Sequence, residues 1–257
     1  MSEPGGRPAG AGRDVATGRA TVLGVLVVTA LTVVLLVAQL SAEPEGPAAD
    51  VSSVGSALDP DGEVVPLSAP SDAKVLFIGD DWTAAAGAFR QKTGFVHLLS
   101  KDLGWEYRVD AVPGSGWAHS APATPGSQYL DRVLRLQTDD DFVPDVVVIS
   151  AQMRSPATTP VIRTLMRSTV TTLQLRVPDA VIAVVLPYGS PHGMGMCEPL
   201  ENEHLTCVDT YGEGWLTGAA ASAYLKEDGL LNNAGHAYFA ERLAAGLERD
   251  LVIGGVP

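Results

Sequence analysis

The segment Lys74–Thr83 reads KVLFIGDDWT, an apolar run with β-branched residues that stops at a glycine followed by two aspartates. The apolar residues 75–78 predict a short buried β-strand, and the glycine predicts the turn that ends it. Strand and helix patterns then alternate along the rest of the chain. This alternation predicts a mainly parallel sheet covered by helices on both sides. We therefore expect a three-layer α/β domain over residues 73–257.

The other elements follow from the same kind of pattern. Further strands are predicted at Tyr107–Val112, Asp145–Ile149 and Val181–Leu186, and helices at Thr83–Leu103, Gln128–Leu136, Thr158–Arg176 and Asn233–Leu251. In open parallel sheets, ligands bind beyond the carboxyl ends of the strands. The functional site is therefore expected in the loops that follow Ile78, Val112, Ile149 and Leu186.

An uncharged, mostly apolar stretch of 23 residues, residues 20–42, lies near the N-terminus. As a helix it would span about 34 Å, enough to cross a bilayer. Three arginines precede it, and the next basic residue is Lys74. The positive-inside rule then puts residues 1–19 in the cytoplasm and the globular domain outside the cell, in a single-pass membrane protein. The alternative is a signal peptide cleaved near Ser41, which would leave a secreted protein.

Residues 43–72 contain seven acidic and no basic side chains and are rich in Ala, Pro, Ser and Gly. Such a composition predicts a flexible linker. From residue 43 onward the chain has 28 acidic and 14 basic residues, so nucleic acid is not expected as a partner. The Gly-x-Gly-x-x-Gly pattern of dinucleotide sites does not follow the first strand, and we expect no cofactor.

The two cysteines of the chain, Cys197 and Cys207, both lie on the predicted outer side of the membrane and are ten positions apart. A metal site would need more ligands, and the nearby His192 and His204 are irregularly spaced. We therefore expect a disulfide between the two cysteines and no metal. It would hold the loop of residues 187–214, which follows the last predicted strand.

Two glycine-containing turns resemble motifs of the SGNH (GDSL) hydrolases. The first is Gly79-Asp80-Asp81, where those enzymes carry Gly-Asp-Ser with the serine as nucleophile. The second is Pro113–Trp117, in which Gly116 matches the glycine whose N–H contributes to the oxyanion hole of the family. The resemblance implies a flavodoxin-like SGNH fold with Asp81 at the nucleophile position. Asp80 and Trp82 are expected to line the same pocket.

Two later segments resemble the remaining motifs of the family. After the strand that ends at Ile149, the family's oxyanion asparagine falls on Arg154, although Gln152 could instead supply the amide. The block Glu227–His236 resembles the family's last motif, with Asp228 kept and with the catalytic histidine falling on Leu230 or Leu231. His236 comes several residues later, at the start of the last helix.

The resemblance implies a hydrolase fold whose usual chemistry has been altered. A carboxylate cannot serve as a serine-type nucleophile, and leucine cannot accept a proton. One interpretation is a domain that binds a cell-envelope glycan, an acyl group or a partner protein without catalysis. In this interpretation Asp81 and Arg154 form an ion pair that fills the pocket. The other is an active esterase in which Asp81 is the nucleophile or base, helped by Asp228 or His236.

Overall fold

The computed structural model describes residues 67–138, 141–151, 157–186 and 205–253. Its strands, in chain order, are β1 Leu67–Ala69, β2 Lys74–Gly79, β3 Glu106–Ala111, β4 Val146–Ser150, β5 Val181–Val185, β6 Leu205–Val208 and β7 Leu251–Ile253. Its helices are α1 Phe95–Leu103, α2 Tyr129–Leu134, α3 Thr159–Arg176, α4 Gly218–Tyr224 and α5 Asn233–Asp250. A short 3₁₀ helix, Gln91–Thr93, precedes α1.

The main sheet has five strands in the order β3-β2-β4-β5-β6, and every neighbouring pair is parallel. This arrangement confirms the expected mainly parallel sheet. Its register brings the last residues of β3, β2, β4 and β5 level with one another, because Gly79 pairs with both Ala111 and Ser150, and Ser150 pairs with Val185. The loops that follow these strands therefore begin at one edge of the sheet.

The three central strands β2, β4 and β5 bury both of their faces, and this explains their nearly continuous apolar sequences. Val75 and Phe77 of β2 belong to one hydrophobic cluster, whereas Leu76 and Ile78 belong to a second cluster. Successive side chains of a strand point to opposite faces of a sheet. The first cluster includes residues of α1 and α5, and the second includes residues of α2 and α3. The domain therefore consists of a sheet between two helical layers.

The predicted helix Thr83–Leu103 is wrong over its first half. Residues 80–90 form a series of turns, and the α-helix begins only at Phe95. Ala85 and Gly87 have φ values of 60° and 89°, which no right-handed helix contains. Position 87 requires a glycine, because the Cβ of any other residue would lie 2.3 Å from the carbonyl oxygen of Leu231. The loop therefore packs against the segment that precedes α5.

The sequence analysis missed four short elements. It assigned Leu67–Ala69 to the linker, but these residues form β1. It also did not predict β7, with which β1 pairs in parallel. It also missed β6, which completes the sheet, and the seven-residue helix α4. Elements of three to seven residues carry too few positions for a periodic pattern to be recognised.

The predicted membrane helix, residues 20–42, lies outside the described residues. Within the part of the chain that the structure describes, no helix is long and apolar enough to cross a membrane. Cys207 is half-buried in β6, and no described cysteine is a free thiol. Cys197 lies outside the described residues, so its bond with Cys207 stays a prediction.

One buried arginine, Arg132 of α2, holds together the ends of two neighbouring strands. Its guanidinium donates to the carbonyl oxygen of Gly79 at 2.9 Å and to the hydroxyl of Ser115 at 3.3 Å. It also forms an ion pair with Asp110, whose carbonyl oxygen accepts a further hydrogen bond. The arginine side chain is 5% exposed, whereas that of Asp110 is 41% exposed. Arg132 thus joins the end of β2, the end of β3 and the loop after β3.

Replacing Arg132 with methionine should destabilise the domain by about 3 kcal/mol, because several buried acceptors would lose their donor. Asp110→Asn should cost less, about 1 kcal/mol, because the partly exposed carboxylate is screened by water. Urea unfolding of the full-length chain, followed by tryptophan fluorescence, measures both effects, since all four tryptophans are buried. Arg135→Met, at an exposed arginine of the same segment, is the matched control. Equal losses at positions 132 and 135 would contradict the role given to Arg132.

Candidate active site

Asp81 lies at the carboxyl end of β2 and is half-buried. Its Oδ2 accepts a hydrogen bond of 2.9 Å from the backbone N–H of Gly114, in the loop that follows β3. The loops after β2 and β3 therefore meet at one edge of the sheet, as the resemblance implies. A carboxylate oxygen bound by a backbone N–H is a charge-assisted contact of the kind that an oxyanion hole provides. The oxygen that the N–H of Gly114 binds therefore belongs to the side chain of Asp81 itself.

The assignment of Gly116 to the oxyanion hole is wrong. The N–H of Gly116 donates to the carbonyl oxygen of His119 at 3.0 Å, so it is used within its own loop. The donor that reaches the nucleophile position is the N–H of Gly114 instead. Gly116 is needed for another reason, because a Cβ there would lie 2.6 Å from Cε1 of His119. The imidazole therefore packs directly on the glycine backbone.

His119 is a site residue that the sequence analysis missed. Burial lowers the pKa of this histidine, while the negative charge of Asp81 acts in the opposite direction and raises it. Nδ1 of His119 is buried and has no hydrogen-bond partner among the described residues. The available signal was a histidine two residues beyond the Pro113–Trp117 turn. Its position in a loop at the carboxyl edge could have marked it as a candidate.

Asp80 and Trp82 do not line an open pocket. Asp80 is 1% exposed, and its Oδ1 accepts a hydrogen bond from the N–H of Trp82. Trp82 is 2% exposed and packs edge-on against Phe239 of α5, with ring centroids 5.5 Å apart. Its indole N–H donates to the carbonyl oxygen of Gly229. Trp82 therefore fixes the loop after β2 against the segment before α5, and Asp80 shapes that loop from within.

In the segment that resembles the last family motif, both leucines at the family's histidine position pack against the hydrophobic core. Leu231 is fully buried in the hydrophobic core, and Leu230 is half-buried and packs against the same core. Asp228 is exposed, and its Oδ1 accepts a hydrogen bond from the N–H of Leu230, which shapes the turn. Its expected role as a helper of Asp81 is not supported by this placement.

His236 is a structural residue rather than a catalytic one. Nδ1 accepts a hydrogen bond from the N–H of Phe95, and Nε2 contacts the carbonyl oxygen of Ala86 at 3.2 Å. Because Nδ1 is an acceptor, the proton lies on Nε2 and the ring is neutral. Burial lowers the pKa of His236, although the hydrogen bond to Ala86 raises it. The ring connects the loop after β2, the start of α1 and the start of α5.

Two predicted site residues, Gln152 and Arg154, lie outside the described residues. The proposed ion pair between Asp81 and Arg154 therefore stays a prediction. Within the described ranges, no group of three or more histidine, cysteine, aspartate or glutamate side chains could hold a metal ion.

No protein-family model and no curated protein matches the sequence. Solved structures do match the fold. An active-site mutant of a family two carbohydrate esterase from Clostridium thermocellum is 21% identical with a TM-score of 0.53, over 72% of this chain and 64% of that one. A family 2 carbohydrate esterase with a carbohydrate-binding domain, from Corynascus thermopiles (Myceliophthora fergusii), is 20% identical with a TM-score of 0.52, over 74% and 70% of the chains.

A two-domain esterase active on acetylated mannans, co-crystallised with mannopentaose, is 14% identical with a TM-score of 0.51, over 69% of this chain and 50% of that one. The described domain has the fold of these carbohydrate esterases. This chain spans less than two thirds of the first of these structures, and every identity is below 25%. The likeness therefore concerns the fold alone.

The neutral His236 predicts a loss of stability at acidic pH. The pKa of this histidine is lower in the folded protein than its ordinary value of about 6.5, so the unfolded chain takes up the proton first as the pH falls. The contribution of His236 to the free energy of unfolding is complete above about pH 6.5. It declines at lower pH, by at most about 1.4 kcal/mol per pH unit. His236→Gln, whose amide can accept and donate, should reduce this decline.

Urea unfolding at pH 8 and at pH 5.5 measures the effect as the difference between wild type and His236→Gln. The pKa of His119 is lowered as well, so both proteins retain its contribution and it cancels in this comparison. An identical pH dependence in the two proteins would show that His236 is not held neutral.

Proposed function

We propose that this domain binds a glycan of the cell envelope at the carboxyl edge of its sheet and does not hydrolyse it. The observation that carries the proposal is the hydrogen bond from the N–H of Gly114 to the carboxylate of Asp81. In an acyl hydrolase of this fold, that edge would receive the ester, with a hydroxyl nucleophile and free oxyanion donors. Here a carboxylate stands at the nucleophile position and has already engaged the donor.

Ester hydrolysis by the family's usual chemistry requires three groups, and the described residues at the serine and histidine positions of the family cannot supply two of them. A nucleophile must be activated, a base must accept its proton, and donors must stabilise the oxyanion. Asp81 replaces the serine, buried Leu231 stands at a histidine position, and the nearby His236 uses both ring nitrogens in backbone contacts. A concerted loss of this kind favours binding over catalysis.

A glycan is the ligand class that the fold comparison supports best. The family two carbohydrate esterase from Clostridium thermocellum has also been solved with cellohexaose, at a TM-score of 0.54 and 21% identity. The two-domain esterase described above is active on acetylated mannans and was co-crystallised with mannopentaose. Carbohydrates would also suit a surface with a formal net charge of −13, which disfavours polyanions. An acyl chain or a partner protein remains the other class of ligand in this proposal.

The proposal includes a location. Residues 20–42 would anchor the chain in the cell membrane, residues 43–66 would separate the domain from the bilayer, and the domain would lie outside the cell. A disulfide between Cys197 and Cys207 would fit that oxidising compartment. The alternative is release of the domain after signal-peptide cleavage.

A second candidate function is ester hydrolysis with altered residues. It is favoured by the placement of half-buried His119 in the loop whose Gly114 N–H binds half-buried Asp81. A carboxylate can act as a nucleophile or as a general base, and an imidazole can transfer protons. His119, rather than Asp228 or His236, would be the partner of Asp81 in this mechanism.

We expect the full-length chain to show no hydrolysis of p-nitrophenyl acetate or of acetylated mannan above the uncatalysed rate. Asp81→Ser should remain inactive, because a serine there would still lack the histidine that the family uses. Release of p-nitrophenol and of acetate measures the two reactions. Turnover by the wild type that is lost in both Asp81→Ala and His119→Phe would support the second candidate. His97→Phe is the matched control, because His97 is also half-buried but forms its hydrogen bond with Tyr107.

Protease treatment of intact cells should remove the globular domain, because residues 20–42 are expected to leave it outside. A C-terminal epitope tag reports the loss, and an unaffected cytoplasmic protein shows that the cells remain intact. Protection of the tag would contradict the proposed orientation. Release into the medium of a mature chain that begins near Glu43 would show instead that residues 20–42 belong to a cleaved signal peptide.

A further inference from the structure

The contact between Asp81 and Gly114 also determines which chemical group the site can accept. An ionised carboxylate accepts hydrogen bonds and donates none, and its two oxygens offer about four acceptor positions. Gly114 supplies one donor to these positions, at 2.9 Å. A ligand group that approaches Asp81 must therefore be a donor. A sugar hydroxyl is a donor, whereas the carbonyl and ether oxygens of an acetyl ester are acceptors only.

His119 adds a second polar contact in the same loop. Its ring packs on Gly116, two residues from the N–H that binds Asp81, and it interacts electrostatically with that carboxylate. Nδ1 is buried without a partner among the described residues, so a ligand hydroxyl would reach the ring at Nε2. A neutral imidazole has one donor and one acceptor, so either tautomer can pair with a hydroxyl, which both donates and accepts.

We propose that Asp81 and His119 make this site selective for free sugar hydroxyls over acetylated ones. Selectivity of this kind rests on the proposed glycan-binding function and extends it to the chemical form of the ligand. The N–H of Gly114, which would otherwise be available to an ester carbonyl, is occupied by Asp81. An acetyl group would bring its carbonyl oxygen against the carboxylate and leave both acceptors unsatisfied. The same edge of the fold would then bind the deacetylated form of a polysaccharide.

Isothermal titration calorimetry on the full-length chain tests this proposal with mannopentaose and partially acetylated mannopentaose as probes. The detergent must be a polyoxyethylene ether, because alkyl glycosides carry sugars that would compete. We expect the wild type to bind the unmodified sugar about tenfold more tightly, as the loss of one or two hydrogen bonds implies. Cellohexaose serves as a third probe without acetyl groups.

The following variants distinguish the contribution of Asp81 to binding from that of His119. Asp81→Ser frees the N–H of Gly114, and Asp81→Asn replaces an acceptor oxygen with a donor NH₂. Each variant should reduce the preference for unmodified over acetylated mannopentaose to about twofold or reverse it. His119→Phe should weaken binding of mannopentaose about fivefold to tenfold. His97→Phe should bind as the wild type does, and circular dichroism checks that each variant is folded.

The possible outcomes distinguish the two levels of the proposal. Binding of both mannopentaose forms with equal affinity, or tighter binding of the acetylated form by the wild type, would overturn the hydroxyl selectivity and leave the glycan-binding function in place. If all three probes fail to bind, the proposed function is overturned and the selectivity with it. A preference that persists unchanged in Asp81→Ser and Asp81→Asn would exclude Asp81 as its cause.

Discussion

The geometry of the candidate site depends on the buried guanidinium of Arg132. This side chain binds the backbone carbonyl of Gly79, both the carboxylate and the carbonyl of Asp110, and the hydroxyl of Ser115. Parallel strands are held to one another by their hydrogen bonds, but the loops beyond their ends are not. Arg132 fixes two of these loops at the place where each leaves its strand. The N–H of Gly114 and the carboxylate of Asp81 can then meet at hydrogen-bonding distance.

Asp81 illustrates how one substitution changes the chemistry of a conserved geometry. The loop that would stabilise an oxyanion in a hydrolase here binds the protein's own carboxylate. Such a contact is strong because the acceptor is charged and partly shielded from water. In the proposed function, this acceptor suits recognition of hydroxyls better than attack on an ester. His119 and the turn around Gly116 complete this altered edge.

The fold was largely predictable from the sequence because its three central strands, β2, β4 and β5, are buried on both faces. Short runs such as Val146–Ser150 are almost entirely β-branched and apolar, and their boundaries agreed with the structure to within one or two residues. The region after β2 was not predictable in the same way. Its alanines favour a helix, but tertiary packing against Leu231 forces a turn with positive φ at Gly87. Local propensity is weaker than such packing.

The site was predicted less completely than the fold. Motif position placed Asp81 and the loop after β3 at one edge of the sheet, where the two do meet. It could not show which glycine N–H binds Asp81, since this depends on the turn that Gly116 makes with His119. His236 matched a motif by spacing, yet its function is set by two backbone contacts from distant segments. Sequence separation of about 140 residues hides such contacts from any local pattern.

The pairing of β1 with β7 closes the described chain on itself. Leu67 lies beside Leu251 and Ala69 beside Ile253, so the first and last strands of the domain run side by side in the same direction. Any mechanical load carried by the preceding residues would enter the domain through a strand pair only three residues long, outside the main sheet. That pair would shear before the five-stranded sheet is loaded.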